Sequence, residues 1–127
     1  MPDTVRQFRV AVIDDDASFA MSMAALLGSG GFDARLFDSA ESFIDADETS
    51  RFCCIMIDWL LPGMSGATLC QRLAAVGRHP ALILMSGTQF ADSRMPQKLP
   101  PNTEFVQKPF DPEWLLAELS DICGLPQ

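Results

Sequence analysis

Five polar side chains in this sequence follow or end apolar runs of the kind that form buried strands. Asp14 and Asp15 follow FRVAVI, Asp58 ends CCIMID, Ser86 follows ALILM, and Lys108 follows EFVQ. A buried carboxylate is costly unless a cation or hydrogen-bond donors share its site. Each residue alone is also explained by a turn or a helix cap. Their repetition after four apolar runs favours one common site.

The residue types indicate phosphoryl chemistry. Three neighbouring carboxylates repel one another, so a cation must share their pocket. Oxygen ligands without His or Cys favour a hard ion, and Mg²⁺ fits best, with Mn²⁺ as the alternative. With Lys108 and Ser86 beside it, Asp58 is a candidate nucleophile toward phosphorus, as carboxylates are in aspartyl-phosphate chemistry.

Strands and helices are predicted to alternate along the chain. Four apolar runs carry no regular polar alternation, which predicts a parallel sheet covered by helices on both faces. In such a sheet ligands bind beyond the carboxyl ends of the strands, where all five residues lie. We predict strands at 8–13, 34–37, 53–58, 81–85 and 104–107.

Helix signals separate these strands. Asp16, either Asp38 or Ser39, and Asp111 are candidate N-cap residues before apolar stripes at helical spacing. A further helix is predicted at 66–76 and a loop at 45–51. Prolines interrupt 88–103, where a helix between the fourth and fifth strands is due, so that helix is expected to be short, near 90–94, or irregular.

Composition narrows the function further. The 127 residues fit one domain, and 48% of them are hydrophobic, as in a packed globule. The net charge of −8 leaves no basic patch, so direct contact with nucleic acid is not expected. No apolar run is long enough to cross a bilayer or to act as a signal peptide, so a cytoplasmic protein without membrane contact is expected.

The four cysteines are expected to be small buried hydrophobic residues. Cys53, Cys54, Cys70 and Cys123 form no C-x-x-C pair, and His79 is not at zinc-site spacing from any of them. The sequence therefore favours buried free thiols in a reducing compartment.

Four motifs resemble the receiver domain of response regulators in two-component signalling, in the chemotaxis-regulator-like superfamily. They are VIDDD at 12–16, IDWLLPGMSG at 57–66, LMSG at 84–87 and VQKPF at 106–110. The resemblance covers about residues 8–123 and implies a single receiver domain over 1–127. It also implies a doubly wound α/β fold whose five parallel strands have the flavodoxin-like order 2-1-3-4-5.

The resemblance also assigns roles to the candidate residues. Asp58 accepts a phosphoryl group from a sensor histidine kinase or a histidine phosphotransfer protein, and Lys108 contacts that group. Asp14, Asp15, Asp58 and the backbone carbonyl of Leu60 hold Mg²⁺. The peptide bond after Lys108 is usually cis in this family.

The same resemblance makes Ser86 the switch hydroxyl and Phe105 the switch aromatic residue. Leu60 and Thr88 occupy positions that tune dephosphorylation. The family often has a polar side chain where Leu60 stands, and an apolar one cannot orient an attacking water. We therefore expect slow autodephosphorylation.

The expected function is that of a phosphorylation-activated switch. It is not an enzyme with a separate substrate, since it catalyses at most its own phosphorylation and dephosphorylation. Its output partner is not specified by the sequence, and a phosphorylation-dependent homodimer is allowed. Two alternatives stay open: a degenerate receiver that acts as a constitutive interaction module, and an aspartate-nucleophile phosphohydrolase. The latter usually carries a second acid at the position of Leu60.

Overall fold

The computed structural model describes residues 8–87 and 100–125, which form a five-stranded parallel sheet in the order β2-β1-β3-β4-β5. The strands are β1 (Arg9–Ile13), β2 (Asp33–Phe37), β3 (Cys54–Asp58), β4 (Ala81–Ser86) and β5 (Thr103–Gln107). The helices are α1 (Ala17–Ser29), α2 (Ala40–Ala46), α3 (Gly66–Ala75) and α4 (Pro112–Cys123). The predicted α/β class, parallel sheet and strand order are confirmed.

Two apolar cores lie on opposite faces of the sheet. Ile55 and Ile57 of β3 pack in the core that includes side chains of α2 and α3. Met56, between them in the sequence, packs in the core that includes side chains of α1 and α4. Because β3 is buried on both faces, its sequence is apolar throughout, and its one charged residue stands at the carboxyl end.

Side-chain caps begin the four described helices. The cap residues are Asp16, Ser39, Ser65 and Asp111, and each side chain accepts a hydrogen bond from a backbone N–H of the first turn. The predicted caps Asp16 and Asp111 are confirmed, and Ser39 caps its helix in preference to Asp38. Each cap fixes the point where the chain turns from a strand into a helix.

The predictions for the segments 45–51 and 90–94 have different outcomes. The loop predicted at 45–51 is wrong in part, since α2 continues to Ala46 and Thr49–Arg51 forms a 3₁₀ turn. The short helix predicted near 90–94 lies outside the described residues, as does Thr88. In the described part of the chain, no helix is long and apolar enough to cross a membrane.

The expectation of four free thiols is wrong for two of them. Cys53 and Cys123 form a disulfide that joins positions 70 residues apart. Cys53 directly precedes β3 and Cys123 ends α4, so the bond links the sheet to the last helix. Cys54 and Cys70 are buried free thiols, as expected.

Gly66 lets α3 begin directly against the end of β3. Its N–H donates a hydrogen bond to the carbonyl oxygen of Trp59 at 3.2 Å. A Cβ atom at this position would overlap the carbonyl oxygen of Asp58. The absence of a side chain at residue 66 is therefore a steric requirement of the loop that follows Asp58.

We expect Gly66→Ala to lower the free energy of unfolding by about 2 kcal/mol, because backbone must shift to relieve the overlap. The matched control is Gly28→Ala in α1, where a Cβ atom would meet nothing within 4 Å. That variant should be neutral or stabilised by up to about 1 kcal/mol, since Ala favours helix over Gly. Urea denaturation measures both, and equal stability of the two variants would contradict the steric argument.

Candidate functional site

The register of the sheet brings the predicted residues to one edge. Asp58 pairs with Met85, one residue before Ser86, and Ser86 pairs with Gln107, one residue before Lys108. The carboxyl ends of β3, β4 and β5 therefore present an acid, a hydroxyl and an ammonium group in sequence along this edge.

Asp14 joins them from β1. Ile13 pairs with Ile57 in the adjoining strand, so Asp14 follows β1 at the level of Asp58. Asp14 is only 2% exposed, and its Oδ1 accepts a hydrogen bond from the Asp16 N–H at 2.9 Å. Asp14 is thus a buried carboxylate that faces the end of β3.

Lys108 bridges the two buried acids. Its Nζ lies 2.8 Å from Asp14 Oδ2 and 3.3 Å from Asp58 Oδ1. The same atom lies 4.0 Å from the centre of the Phe19 ring, a cation–π distance. The Lys108 backbone N–H donates to the Ser86 carbonyl at 2.6 Å, and the peptide bond to the next residue is cis, as predicted.

Three carboxylates lie close enough together to bind one cation. Asp14, Asp15 and Asp58 each offer an oxygen within 4.8 Å of the others. Asp15 is exposed, whereas Asp14 and Asp58 are buried. Carboxylate oxygens are the ligands that a hard divalent ion prefers.

The balance of burial and neighbouring charges raises the pKa values of Asp58 and Lys108. Burial raises the pKa of Asp58 from 3.8 to about 6, and the charge of Asp14 adds to this rise while Lys108 opposes it. For Lys108, burial alone lowers the pKa, but the hydrogen bond to Asp14 and the charges of Asp58 and Asp14 outweigh it. Its net shift is upward, so Lys108 stays charged while Asp58 becomes mostly ionised as the pH rises through about 6.

The remaining predicted residues belong to, or closely follow, β3, β4 and β5. Ser86 is 1% exposed, and its hydroxyl donates to the Gly87 carbonyl at 3.2 Å. The Phe105 ring is half-buried and lies edge-on to the buried Trp59 ring, with 6.4 Å between ring centres. Leu60 is 57% exposed, so its side chain presents an apolar surface two residues after Asp58.

Glu41 binds the loop that follows Asp58, a contact that the sequence did not predict. It lies in the first turn of α2 and accepts a hydrogen bond from the Met64 N–H at 2.9 Å. This bond and one from its own backbone N–H lower the pKa of Glu41. Met64 belongs to the loop between Asp58 and α3, so Glu41 holds that loop from the neighbouring helix. No sequence signal links two residues so far apart.

An open groove of about 770 Å³ adjoins the cluster on the side of α1 and α2. Asp14 and Asp15 line one end of it, next to apolar residues such as Met21 and Leu36. Asp58, Ser86 and Lys108 do not contribute to its lining. The groove is therefore lined by the two acids that follow β1, of which only Asp15 is exposed to solvent, and not by the rest of the cluster.

The sequence matches the family model described as the response regulator receiver domain over residues 10–120. The transcriptional regulatory protein FixJ of Bradyrhizobium diazoefficiens is 33% identical over 108 residues, which are 85% of this chain and 53% of FixJ. The DNA-binding response regulator MtrA of Mycobacterium tuberculosis is 32% identical over 117 residues, or 92% of this chain and 50% of MtrA. The chain thus spans about half the length of these relatives.

Solved structures show the same likeness. The response regulator StyR superposes with a TM-score of 0.80 at 29% identity, over 92% of this chain and 59% of that one. The BeF3-activated DrrB receiver domain superposes with a TM-score of 0.77 at 25% identity, over 92% of this chain and 97% of that one.

The raised pKa of Asp58 predicts how stability depends on pH. The native state holds this proton to a higher pH than the unfolded chain, so the free energy of unfolding should fall as pH rises from about 4 to about 6. In Asp58→Asn this contribution is absent, and at pH 7 the metal-free variant should be more stable by about 2 kcal/mol.

Chemical denaturation in a chelating buffer between pH 4 and 7 measures the difference. Asp121→Asn, which removes an exposed carboxylate of α4, is the matched control and should keep the pH profile of the unmodified chain. Parallel profiles for Asp58→Asn and the unmodified chain would show that Asp58 titrates normally.

Proposed function

This chain belongs to the response regulator receiver domain family, and we propose that it is a phosphorylation-activated switch that accepts a phosphoryl group on Asp58. The observation that carries the proposal is the position of Lys108, whose ammonium group contacts both Asp14 and Asp58 and whose backbone N–H bonds to the Ser86 carbonyl. A buried acid at the end of a strand is thereby combined with a cation and a hydroxyl, the groups that phosphoryl transfer requires.

The donor is a phosphohistidine of a sensor histidine kinase or a histidine phosphotransfer protein. A carboxylate oxygen of Asp58 attacks phosphorus, the bond from phosphorus to the imidazole nitrogen breaks, and the ring nitrogen keeps the electron pair. With a pKa of about 6, Asp58 is mostly ionised at neutral pH and competent to attack. Lys108 offsets the charge of the phosphoryl oxygens.

The proposed cofactor is Mg²⁺, with Mn²⁺ as the alternative. Asp14, Asp15 and Asp58 would hold it together with the backbone carbonyl of Leu60. The all-oxygen donor set, with its three carboxylates within 4.8 Å, supports this fit. When bound, the ion supplies positive charge that offsets the repulsion between the carboxylates and the incoming phosphoryl oxygens.

Phosphorylation then alters the packing near β5. It adds roughly −2 charge and three acceptor oxygens at Asp58. The Ser86 hydroxyl, which now donates to the Gly87 carbonyl, turns to a phosphoryl oxygen. Phe105 moves from its edge-on contact with Trp59 into the vacated space. The surface around β5 thereby shifts between two packings with different affinity for a partner.

The proposed unit is a single receiver domain over 1–127, with its core at about 8–123. It works in the cytoplasm, without direct contact to nucleic acid or membrane, and phosphorylation can favour a homodimer. Its only chemistry is its own phosphorylation and dephosphorylation, so it is not an enzyme with a separate substrate. The output partner is a protein or effector domain whose binding the β5 surface controls.

Incubation with acetyl phosphate and Mg²⁺ should add one phosphoryl group to the chain, as measured by intact mass. Asp58→Ala should remove the addition, because it removes the carboxylate at the end of β3 that contacts Lys108. Asp121→Ala, at an exposed position of α4, is the control and should be phosphorylated normally. Phosphorylation of Asp58→Ala would refute Asp58 as the acceptor, and an unmodified mass for the parent chain would favour a constitutive interaction module.

Leu60→Asn should accelerate loss of the phosphoryl group by up to about tenfold, the effect of one hydrogen bond that orients the attacking water. Leu60→Met keeps an apolar side chain at this exposed position and should decay at the parent rate. The decay of phosphorylated protein after removal of acetyl phosphate gives both rates. Decay of the parent within seconds, unchanged in Leu60→Asn, would contradict the proposed role of Leu60.

A further inference from the structure

The disulfide between Cys53 and Cys123 lies at the edge of the sheet opposite the phosphoryl site. Cys53 directly precedes β3 and Asp58 ends it, which separates them by about 16 Å at the rise of a strand. Chemistry at the cysteine pair therefore does not require contact with the cluster around Asp58.

The pair is more accessible than the other two cysteines. Cys53 and Cys123 are both partly exposed, whereas Cys54 and Cys70 are buried. Burial raises the pKa of Cys54, and it raises the pKa of Cys70 to about 12. Since the thiolate is the species that attacks a disulfide, Cys54 and Cys70 are unsuited to exchange.

The two partners are held differently by the fold. The Cys53 N–H donates to the Arg9 carbonyl at 2.9 Å, which fixes that cysteine to β1. Cys123 is the last residue of α4, where Gly124 closes the helix in the left-handed conformation with an N–H bond to the Ser120 carbonyl. The disulfide thus attaches a helix end, a place where helices fray, to a fixed point on the sheet.

We propose that Cys53 and Cys123 are a thiol–disulfide exchange site for low-molecular-weight disulfides such as oxidised glutathione, and that their state sets how firmly the end of α4 is attached to the sheet. The site provides a second input to the domain, separate from phosphorylation in position and in chemistry.

The exchange proceeds in two steps that balance. A thiolate of the pair attacks one sulfur of oxidised glutathione, which forms a mixed disulfide and releases one glutathione thiolate. The second thiol of the pair loses its proton to solvent and attacks the protein sulfur of the mixed disulfide. A second glutathione leaves, so two protein thiols are oxidised and one glutathione disulfide is reduced to two thiols.

Equilibration of the chain in glutathione buffers of graded redox ratio tests the proposal. After acid quench, unfolding and alkylation with N-ethylmaleimide, intact mass should show four labels in reducing buffer and two in oxidising buffer, in a reversible transition. Peptide mapping should find the bond between Cys53 and Cys123. Cys123→Ser should instead retain one glutathione on Cys53, and the control Cys70→Ser should keep the transition.

Hydrogen exchange tests the effect on α4. Backbone amides at 120–125 should exchange about tenfold faster in the reduced chain and in Cys123→Ser than in the oxidised chain. The reason is that the disulfide no longer restricts local opening of the helix end. Amides at 73–77, at the end of α3, are the control and should not change. Four labels in every buffer, a bond to Cys54 or Cys70, or equal exchange at 120–125 in both forms would overturn the proposal.

Discussion

The contact of one ammonium group with two buried carboxylates is the interaction on which the site depends. Lys108 Nζ lies within 3.3 Å of both Asp14 and Asp58. Without this cation, two acids that are almost inaccessible to water would face each other at the ends of β1 and β3. Lys108 offsets only part of the unfavourable free energy of burying the charged Asp58 beside Asp14, so the pKa of Asp58 stays near 6. With Asp15 nearby, three carboxylates face one ammonium group, and this excess of acidic groups suits a divalent cation.

The parallel sheet positions these groups, and the loop after β3 follows directly on Asp58. Strand register sets Asp58 beside Ser86, while Gly66 allows α3 to begin against the carbonyl of Asp58. Glu41 fixes the same loop from α2 through the Met64 N–H. The loop that follows Asp58 is therefore held by contacts from α2 and α3, and in the proposed switch this rigidity lets a change at Asp58 reach the packing around β5.

The sheet edge and its residues could be predicted because double burial leaves a direct mark on sequence. A strand covered on both faces, such as β3, must be apolar up to its end, so a single acid there stands out. Helix caps such as Asp16 and Asp111 are equally local. The hydrogen bond between Glu41 and Met64 and the disulfide between Cys53 and Cys123 join elements that meet only after folding. No local sequence pattern therefore predicts them.

A crystal structure with Mg²⁺ and beryllofluoride, a mimic of a bound phosphoryl group, tests the role of Asp58 most directly. We expect beryllium bound to the Asp58 carboxylate, the ion beside Asp14, and Lys108 bonded to a fluoride. The Ser86 hydroxyl should have turned from the Gly87 carbonyl, its present acceptor, to another fluoride. Beryllofluoride bound elsewhere, with Lys108 still between Asp14 and Asp58 and Ser86 still bonded to Gly87, would contradict the proposed acceptor and its switch.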